Sequence, residues 1–264
     1  LGYGSDLDLV FIHSFDEQAE TDGNKTITGF EFAMRVAQKF LSYMTTQTLD
    51  GRVYEIDTRL RPSGEAGLLV TSLKAFEQYQ LKNAWLWEHQ ALVRARSIAG
   101  EPELREKFEA IRCQILTQPR DEAHVRAEVL KMRQKMKDHL GSSNEQKKHG
   151  IFHLKQDAGG IVDIEFMAQY VVLAWSGSNS DLAHFSDNVR ILEDAAQAGC
   201  LSSEDATALI HAYLSERAES HRLALANQSM QVNAADWHDT RVIVCKLWQR
   251  LIDPTANFMA LESK

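Results

Sequence analysis

The chain has 264 residues, 44% hydrophobic and 25% charged, which is typical of a folded globular protein and excludes an intrinsically disordered one. Its formal net charge of −8 excludes a protein that coats nucleic acid through a general basic surface, but it allows a local basic pocket. No apolar run reaches roughly 18 residues, so we expect no membrane span. The three widely spaced cysteines favour a reducing cytoplasm.

The first third of the chain has the pattern of a mixed α/β domain. Asp6 and Asp8 lead into the apolar run at 9–12, which predicts a buried strand. Apolar residues at helical spacing predict a helix over 30–46, and further strands are predicted over 53–60 and 68–71. Because the chain opens on the first of these strands, we expect it to be a fragment of a longer protein.

The rest of the chain is predicted to be helical. Start signals at Ser72, Pro102 and Asp121 mark the first turns of three helices. The polar, Gly-bounded segment 141–150 is predicted to be a linker. The predicted helices cover residues 72–82, 85–99, 101–116, 121–140, 161–175, 186–198, 202–226 and 236–252. The sequence thus predicts an α+β protein, with a small mixed-sheet domain over 1–100 and a helical bundle over 101–264.

Three aspartates are the strongest candidates for chemistry. On a strand, Asp6 and Asp8 point to one face, roughly 6–7 Å apart, and Asp57 lies on another predicted strand that can run beside them. Such a carboxylate set suits two Mg²⁺ ions in phosphoryl or nucleotidyl transfer. The structural alternative for Asp57 is an ion pair with Arg59.

A phosphate-binding role is predicted for the residues around these aspartates. Gly4 and Ser5 offer a flexible backbone and a hydroxyl for a phosphate oxygen. Arg59 and Arg61 carry guanidinium groups, which bind phosphate oxygens bidentately. The alternative is that both arginines form structural ion pairs.

Two further polar clusters leave structural and functional interpretations open. Gly159 and Gly160 precede a predicted helix whose first turns carry Asp163 and Glu165, which suits either an anion site or stabilisation of the helix dipole. For Glu88 and its neighbour His89, packing and ion pairs are favoured over metal or acid–base chemistry, because no third ligand has suitable spacing.

The sequence resembles the glutamine synthetase adenylyltransferase (glutamate–ammonia-ligase adenylyltransferase) family, within the polymerase-β-like nucleotidyltransferase superfamily. Five stretches across almost the whole chain carry this resemblance: GYGSDLDLVF, YEIDTRLRPSGEAGLLVTS, AWLWEHQALVRAR, DAGGIVDIEFMAQY and SDNVRILE. The family has two homologous domains: the N-terminal one removes AMP from glutamine synthetase by phosphorolysis, and the C-terminal one adds AMP from ATP to a tyrosine hydroxyl. The chain resembles the C-terminal domain more closely.

The resemblance implies a cytoplasmic, Mg²⁺-dependent enzyme with ATP as substrate and Asp6, Asp8 and Asp57 as ligands of two Mg²⁺ ions. It implies glutamine synthetase, the PII signalling protein and the effector glutamine as partners, with no nucleic acid and no membrane. The family's Gly-rich strand–turn ahead of Ser-Asp-x-Asp is not in this sequence, so incomplete nucleotide contacts are expected.

Three alternatives to AMP addition stay open from sequence. The same metals serve phosphorolytic removal of AMP, and a catalytically silent module that binds an effector would keep the same fold. A nucleotidyltransferase that acts on nucleic acid is a weaker alternative, because the net charge of −8 gives no evident basic surface along which a template could bind.

Overall fold

The computed structural model describes residues 5–49, 51, 54–256 and 258. They form two compact units. The first contains the chain up to Glu88 together with Ser97–Ile115, and the second contains His89–Arg96 and the chain from Leu116 onwards. Helices and small sheets make up both, as expected for the α+β class. The domain boundary near residue 100 stays a prediction.

Short parallel strands form the sheets of the first unit. Strands β1 (Leu7–Asp8) and β3 (Ile56–Asp57) pair with each other, and β2 (Phe11–His13) pairs with β4 (Val70–Ser72). The apolar run at 9–12 was predicted as one strand, but β1 precedes it and only Phe11 and Ile12 of the run lie in a strand, β2.

Strand β3 ends before the predicted strand 53–60 does, because side chains compete with the ladder at that end; the predicted first residue, 53, lies outside the described residues. The Asp57 carboxylate accepts the backbone N–H of Arg59 at 2.8 Å, and the N–H of Arg61 reaches the carbonyl of Thr58 at 3.3 Å. An aspartate that accepts an N–H two residues on makes a turn, so the chain leaves the sheet immediately after Asp57.

One helix of the first unit begins at the polar cap that the sequence predicted. The Ser72 hydroxyl accepts the N–H of Ala75 at 3.3 Å, as an N-cap residue does. Buried apolar side chains of this unit include Ala37, Val70, Leu73 and Phe76. The helices whose residues lie mainly in this unit are α1 (Gly29–Thr45), α2 (Leu73–Lys82) and α4 (Pro102–Leu116).

The second unit is built around one helix that is buried on nearly all sides. Helix α7 (Ile161–Trp175) contacts α5 before it and three helices after it, which explains why most of its residues are apolar. The other helices with residues in this unit are α3 (Leu86–Arg94), α5 (Glu122–Leu140), α6 (Asn144–Lys148), α8 (Asn188–Gln197), α9 (Ser203–Leu225) and α10 (His238–Leu251).

The predicted linker at 141–150 is wrong in part, because it contains α6, which begins at a capping box formed by Ser143 and Gln146. The Asp157 carboxylate accepts the N–H groups of Ser142 and His153, both at 2.8 Å. These bonds lower the pKa of Asp157 although burial acts to raise it. The segment is therefore fastened to the turn that follows it.

An antiparallel pair in the second unit was missed from sequence. Strands β5 (Ile151–His153) and β6 (Gln231–Asn233) pair across about 80 residues, and Phe152 and Leu154 lie in the small core between them and α9. Three-residue strands give too short a pattern to predict. No helix in the described part of the chain is long and apolar enough to cross a membrane.

Candidate active site

Strand pairing brings two of the three predicted catalytic aspartates together. In the register of β1 and β3, Leu7 lies opposite Ile56 and Asp8 lies opposite Asp57. The Leu7 N–H donates to Glu55 O, and the Leu9 N–H donates to Asp57 O, both at 2.8 Å. Neighbouring strands lie about 4.8 Å apart and paired residues share a face, so this register places the two carboxylates side by side.

An open cleft of about 510 Å³ lies at this edge of the first unit. Asp6 and Asp57 line it, as do Arg59 and Arg61, whereas Asp8 is not among the described residues that do. Glu55 and Glu65 also line it and were missed from sequence. The signal for Glu55 was its place two residues before Asp57, where a strand shows the same face. The predicted nucleotide contact Gly4 lies outside the described residues; Ser5 is described and half-buried.

Arg59 binds the Asp57 carboxylate directly. Its Nε donates to Oδ1 at 3.0 Å and to Oδ2 at 2.8 Å, and its Nη2 also donates to Oδ2. The side-chain hydrogen bonds from Arg59 are the main reason that the pKa of Asp57 lies below its usual range. The ion pair weighed as an alternative from sequence is therefore present, and it arises from the turn after β3.

Arg61 organises the loop that follows. Its Nη1 donates to Thr58 O at 2.8 Å and to Thr58 Oγ1 at 3.0 Å, and its Nε donates to Gly67 O at 3.1 Å. Its Nη2 donates to Glu65 O at 3.1 Å. A Cβ at Gly67 would lie 1.9 Å from Pro62 O, so only glycine allows this closure. Most donors of Arg61 are therefore committed to its own loop.

The donor set at this edge suits a hard cation. Among the described residues, no three His, Cys, Asp or Glu side chains are grouped closely enough to hold a metal ion. The carboxylates of Asp6, Asp8 and Asp57 nevertheless supply the oxygen ligands that Mg²⁺ prefers, and the register sets two of them side by side. The residues present thus fit the chemistry of such an ion, and the metal site stays a prediction.

Gly159 and Gly160 of the second unit pack closely against other backbone segments of the same chain. A Cβ at Gly160 would lie 2.4 Å from Leu154 O, and Gly159 has a φ of +84° and packs against the backbone of Arg241. The close approach expected for these glycines is thus made by the chain's own backbone. The N–H of Gly159 donates to Asp163 Oδ2 at 2.7 Å, so this helix start binds its own carboxylate.

The carboxylate of Asp163 also belongs to a buried ion pair. Arg133 Nε donates to Asp163 Oδ1 at 2.5 Å, and the two side chains are 3% and 6% exposed. Arg133 Nη2 donates to Gln156 O at 2.8 Å. These contacts favour the structural interpretation of Asp163.

Three of the stretches that carry the resemblance meet in one network of the second unit. Arg94 Nη1 donates to Glu165 Oε1 at 3.2 Å and to Asn188 Oδ1 at 3.1 Å. The network ties together α3, α7 and α8, which explains why polar residues recur in these three stretches. Glu165 thus has a structural partner that its position in sequence did not indicate.

Glu88 is a structural residue in the first unit. The hydroxyl of Tyr79 donates to Glu88 Oε1 at 2.9 Å, and the N–H of Trp85 donates to Oε2 at 2.8 Å. Burial, followed by the hydrogen bond to Glu88, raises the pKa of Tyr79. The interpretation of Glu88 as a packing and pairing residue is thus the one supported.

The chain is similar over its whole length to a curated bacterial protein. It is 89% identical over 264 residues to the bifunctional glutamine synthetase adenylyltransferase/adenylyl-removing enzyme of Acinetobacter baylyi, covering all of this chain and 28% of that protein. The chain is thus similar to the glutamine synthetase adenylyltransferase family. The enzymes of the same name from Pseudomonas aeruginosa and Pseudomonas putida are 51% and 48% identical, each over 95% of the chain and 26% of the relative.

Two family models match separate parts of the chain. The model for glutamate–ammonia ligase adenylyltransferase matches residues 1–111, and the model for PII-uridylyltransferase matches residues 130–233. The first match contains all the predicted site residues. The chain spans about a quarter of the length of the curated relatives it matches.

Proposed function

We propose that this chain transfers AMP from ATP to a tyrosine hydroxyl of glutamine synthetase. The observation that carries the proposal is the pairing of Asp8 with Asp57 at the edge of the cleft that Asp6 and Arg59 line. The names of the relatives supply the substrate protein and the transferred group. The small mixed-sheet nucleotidyltransferase domain and helical bundle, the cytoplasmic location and the effectors PII and glutamine belong to the same proposal.

Each predicted site residue has a role in the proposed reaction. Asp6, Asp8 and Asp57 would hold two Mg²⁺ ions, which would supply charge stabilisation at the phosphate groups. Asp57 orients the tyrosine hydroxyl and accepts its proton. Ser5 and Arg59 bind phosphate oxygens, as does Gly4 through its backbone, while Arg61 keeps the loop at 58–67 closed.

The chemistry balances as a displacement at phosphorus. The tyrosine oxygen forms a bond to the α-phosphorus of ATP, and the bond from that phosphorus to the α,β-bridging oxygen breaks. Pyrophosphate leaves with the electron pair of that bond. The hydroxyl proton passes to the Asp57 carboxylate.

Label transfer from [α-³²P]ATP to purified glutamine synthetase tests the proposal, with Mg²⁺ and glutamine present. We expect labelled synthetase with the native chain and none with Asp57→Asn. Asp22→Asn, which removes an exposed carboxylate of the first unit outside the cleft, is the matched control. The Acinetobacter relative serves as the positive control for the synthetase preparation.

A second candidate is phosphorolytic removal of AMP, because the relatives are also named adenylyl-removing enzymes. In that case the chain would release ADP from adenylylated synthetase and phosphate without transferring label. A chain that does neither but binds PII or glutamine would be a catalytically silent effector-binding module.

A further inference from the structure

Arg59 and Arg61 both line the cleft, but they differ in their hydrogen bonds and in their exposure to solvent. Each side-chain hydrogen bond of Arg59 within the described chain goes to Asp57, and its side chain is 68% exposed. Arg61, in contrast, is half-buried and bonds acceptors of three residues in its own loop. Releasing Arg61 would open that loop, whereas releasing Arg59 breaks one solvent-exposed ion pair.

The guanidinium of Arg59 lies where a cation bound to Asp57 would lie. Both carboxylate oxygens of Asp57 accept hydrogen bonds from Arg59, and the Asp57 side chain is only 13% exposed. A divalent cation binds the same oxygen lone pairs and carries charge of the same sign. Arg59 and a cation therefore compete for Asp57.

We propose that Arg59 is an exchangeable clamp, which covers the Asp57 carboxylate until nucleotide binds and then moves to the triphosphate, uncovering Asp57 for a divalent cation. This rests on the proposed function, which places a triphosphate and a cation in the cleft. The guanidinium fork that fits a carboxylate fits a phosphate equally well. Nucleotide and cation would thus bind cooperatively, because the first to bind breaks the ion pair between Arg59 and Asp57 and the second no longer has to break it.

The size of the effect follows from the exposure of Arg59. Exposed ion pairs contribute little to stability, and a bidentate pair lies at the upper end of that range, so we expect removal of Arg59 to tighten cation binding by about two- to fivefold. A permanent structural ion pair would give the opposite result, since its loss would disorder the turn at Asp57 and weaken cation binding.

The first experiment tests whether Arg59 competes with a cation for Asp57. It measures Mn²⁺ binding to the 264-residue chain without nucleotide, by electron paramagnetic resonance of free Mn²⁺. We expect Arg59→Met to bind Mn²⁺ more tightly than the native chain, and Asp57→Asn/Arg59→Met to lose that gain. Arg35→Met is the matched control, because Arg35 is also an exposed arginine with one carboxylate partner, Glu31 on α1. Equal or weaker binding by Arg59→Met overturns the proposal, as does a gain that survives in the double variant.

The second experiment tests whether Arg59 moves from Asp57 to the triphosphate. It measures ATP binding in EDTA by calorimetry. Asp57→Asn leaves Arg59 without its carboxylate, so it should bind ATP more tightly than the native chain, and Arg59→Met more weakly. No difference between these two variants would overturn the exchange. Neither measurement uses glutamine synthetase. The proposal for Arg59 can therefore be wrong while label transfer is observed, and it can be right while label transfer is not observed.

Discussion

Asp8 lies directly opposite Asp57 in the parallel pairing of β1 with β3. The two residues are 49 positions apart, and each enters the site at the end of a two-residue strand. The site therefore depends on a strand pairing held by very few backbone hydrogen bonds, and local changes at either strand should affect it strongly.

Replacing Asp8 should be as damaging as replacing Asp57. We expect Asp8→Asn to lower the initial rate of AMP transfer by about 10²-fold or more, as losing a group that stabilises transition-state charge does. Because the two act as one unit, Asp8→Asn/Asp57→Asn should lose little more than either single variant. If Asp8→Asn retained more than a tenth of the native rate, Asp8 would not be part of the catalytic set.

Arg61 should act by positioning rather than by binding nucleotide. We expect Arg61→Met to lower kcat with little change in the KM for ATP, and to speed hydrogen exchange over residues 58–67. Arg61→Lys should restore activity only in part, because one ammonium cannot reach all the acceptors that the guanidinium bonds. A rise in KM with unchanged exchange would instead support the predicted nucleotide contact.

Glu216 should make the stability of the chain depend on pH. It is fully buried on α9, neither carboxylate oxygen has a hydrogen-bond partner in the described chain, and burial followed by the charge of Asp163 raises its pKa to about 9. Arg241 and Cys245 of α10 are the other titratable groups close to it.

The sign of this dependence follows from the proton count. Between the unfolded pKa of Glu216 near 4.5 and the folded value of about 9, the folded chain holds a proton that the unfolded chain releases. Stability therefore falls as pH rises across this window. Glu216→Gln should flatten the dependence and raise the free energy of unfolding at pH 7 by about 3 kcal/mol.

Urea unfolding between pH 5 and 9 measures this effect. Glu219→Gln is the control, because Glu219 lies on the same helix but is paired with Arg222. An unchanged pH dependence in Glu216→Gln would show that Glu216 is not the group responsible.

Breaking the buried pair of Arg133 with Asp163 should be costly. Asp163→Asn leaves a buried guanidinium without its counter-charge, and we expect the free energy of unfolding to fall by about 3–5 kcal/mol. Arg133→Met/Asp163→Leu should recover part of this loss, because it removes both buried charges. Glu128→Gln, which breaks the exposed pair with Lys131, should change stability little. If Asp163→Asn lowered the free energy of unfolding as little as Glu128→Gln does, the structural role of the pair would be contradicted.

Sequence predicted most of the helices because their evidence is local. The caps at Ser72, Asp121 and Ser202 and the apolar spacing of α7 are all visible within a few residues. Helix α3 instead ends at Arg94, several residues short of the predicted 99. Beyond it the N–H of Ser97 donates to the Glu109 carboxylate, so the residues that would continue the helix bond a side chain distant in sequence.

By itself, the sequence determined which residues can do the chemistry: Asp6, Asp8 and Asp57 are carboxylates near predicted strands, and Arg59 and Arg61 follow within four residues. Residue type and spacing are local properties, and they suffice to name candidates. Only the tertiary structure decided that Asp8 lies opposite Asp57, that Arg59 covers the Asp57 carboxylate, and that Arg61 closes its own loop. Strand register and the choice among competing hydrogen-bond partners depend on groups brought together by the folded chain, and no local pattern encodes them.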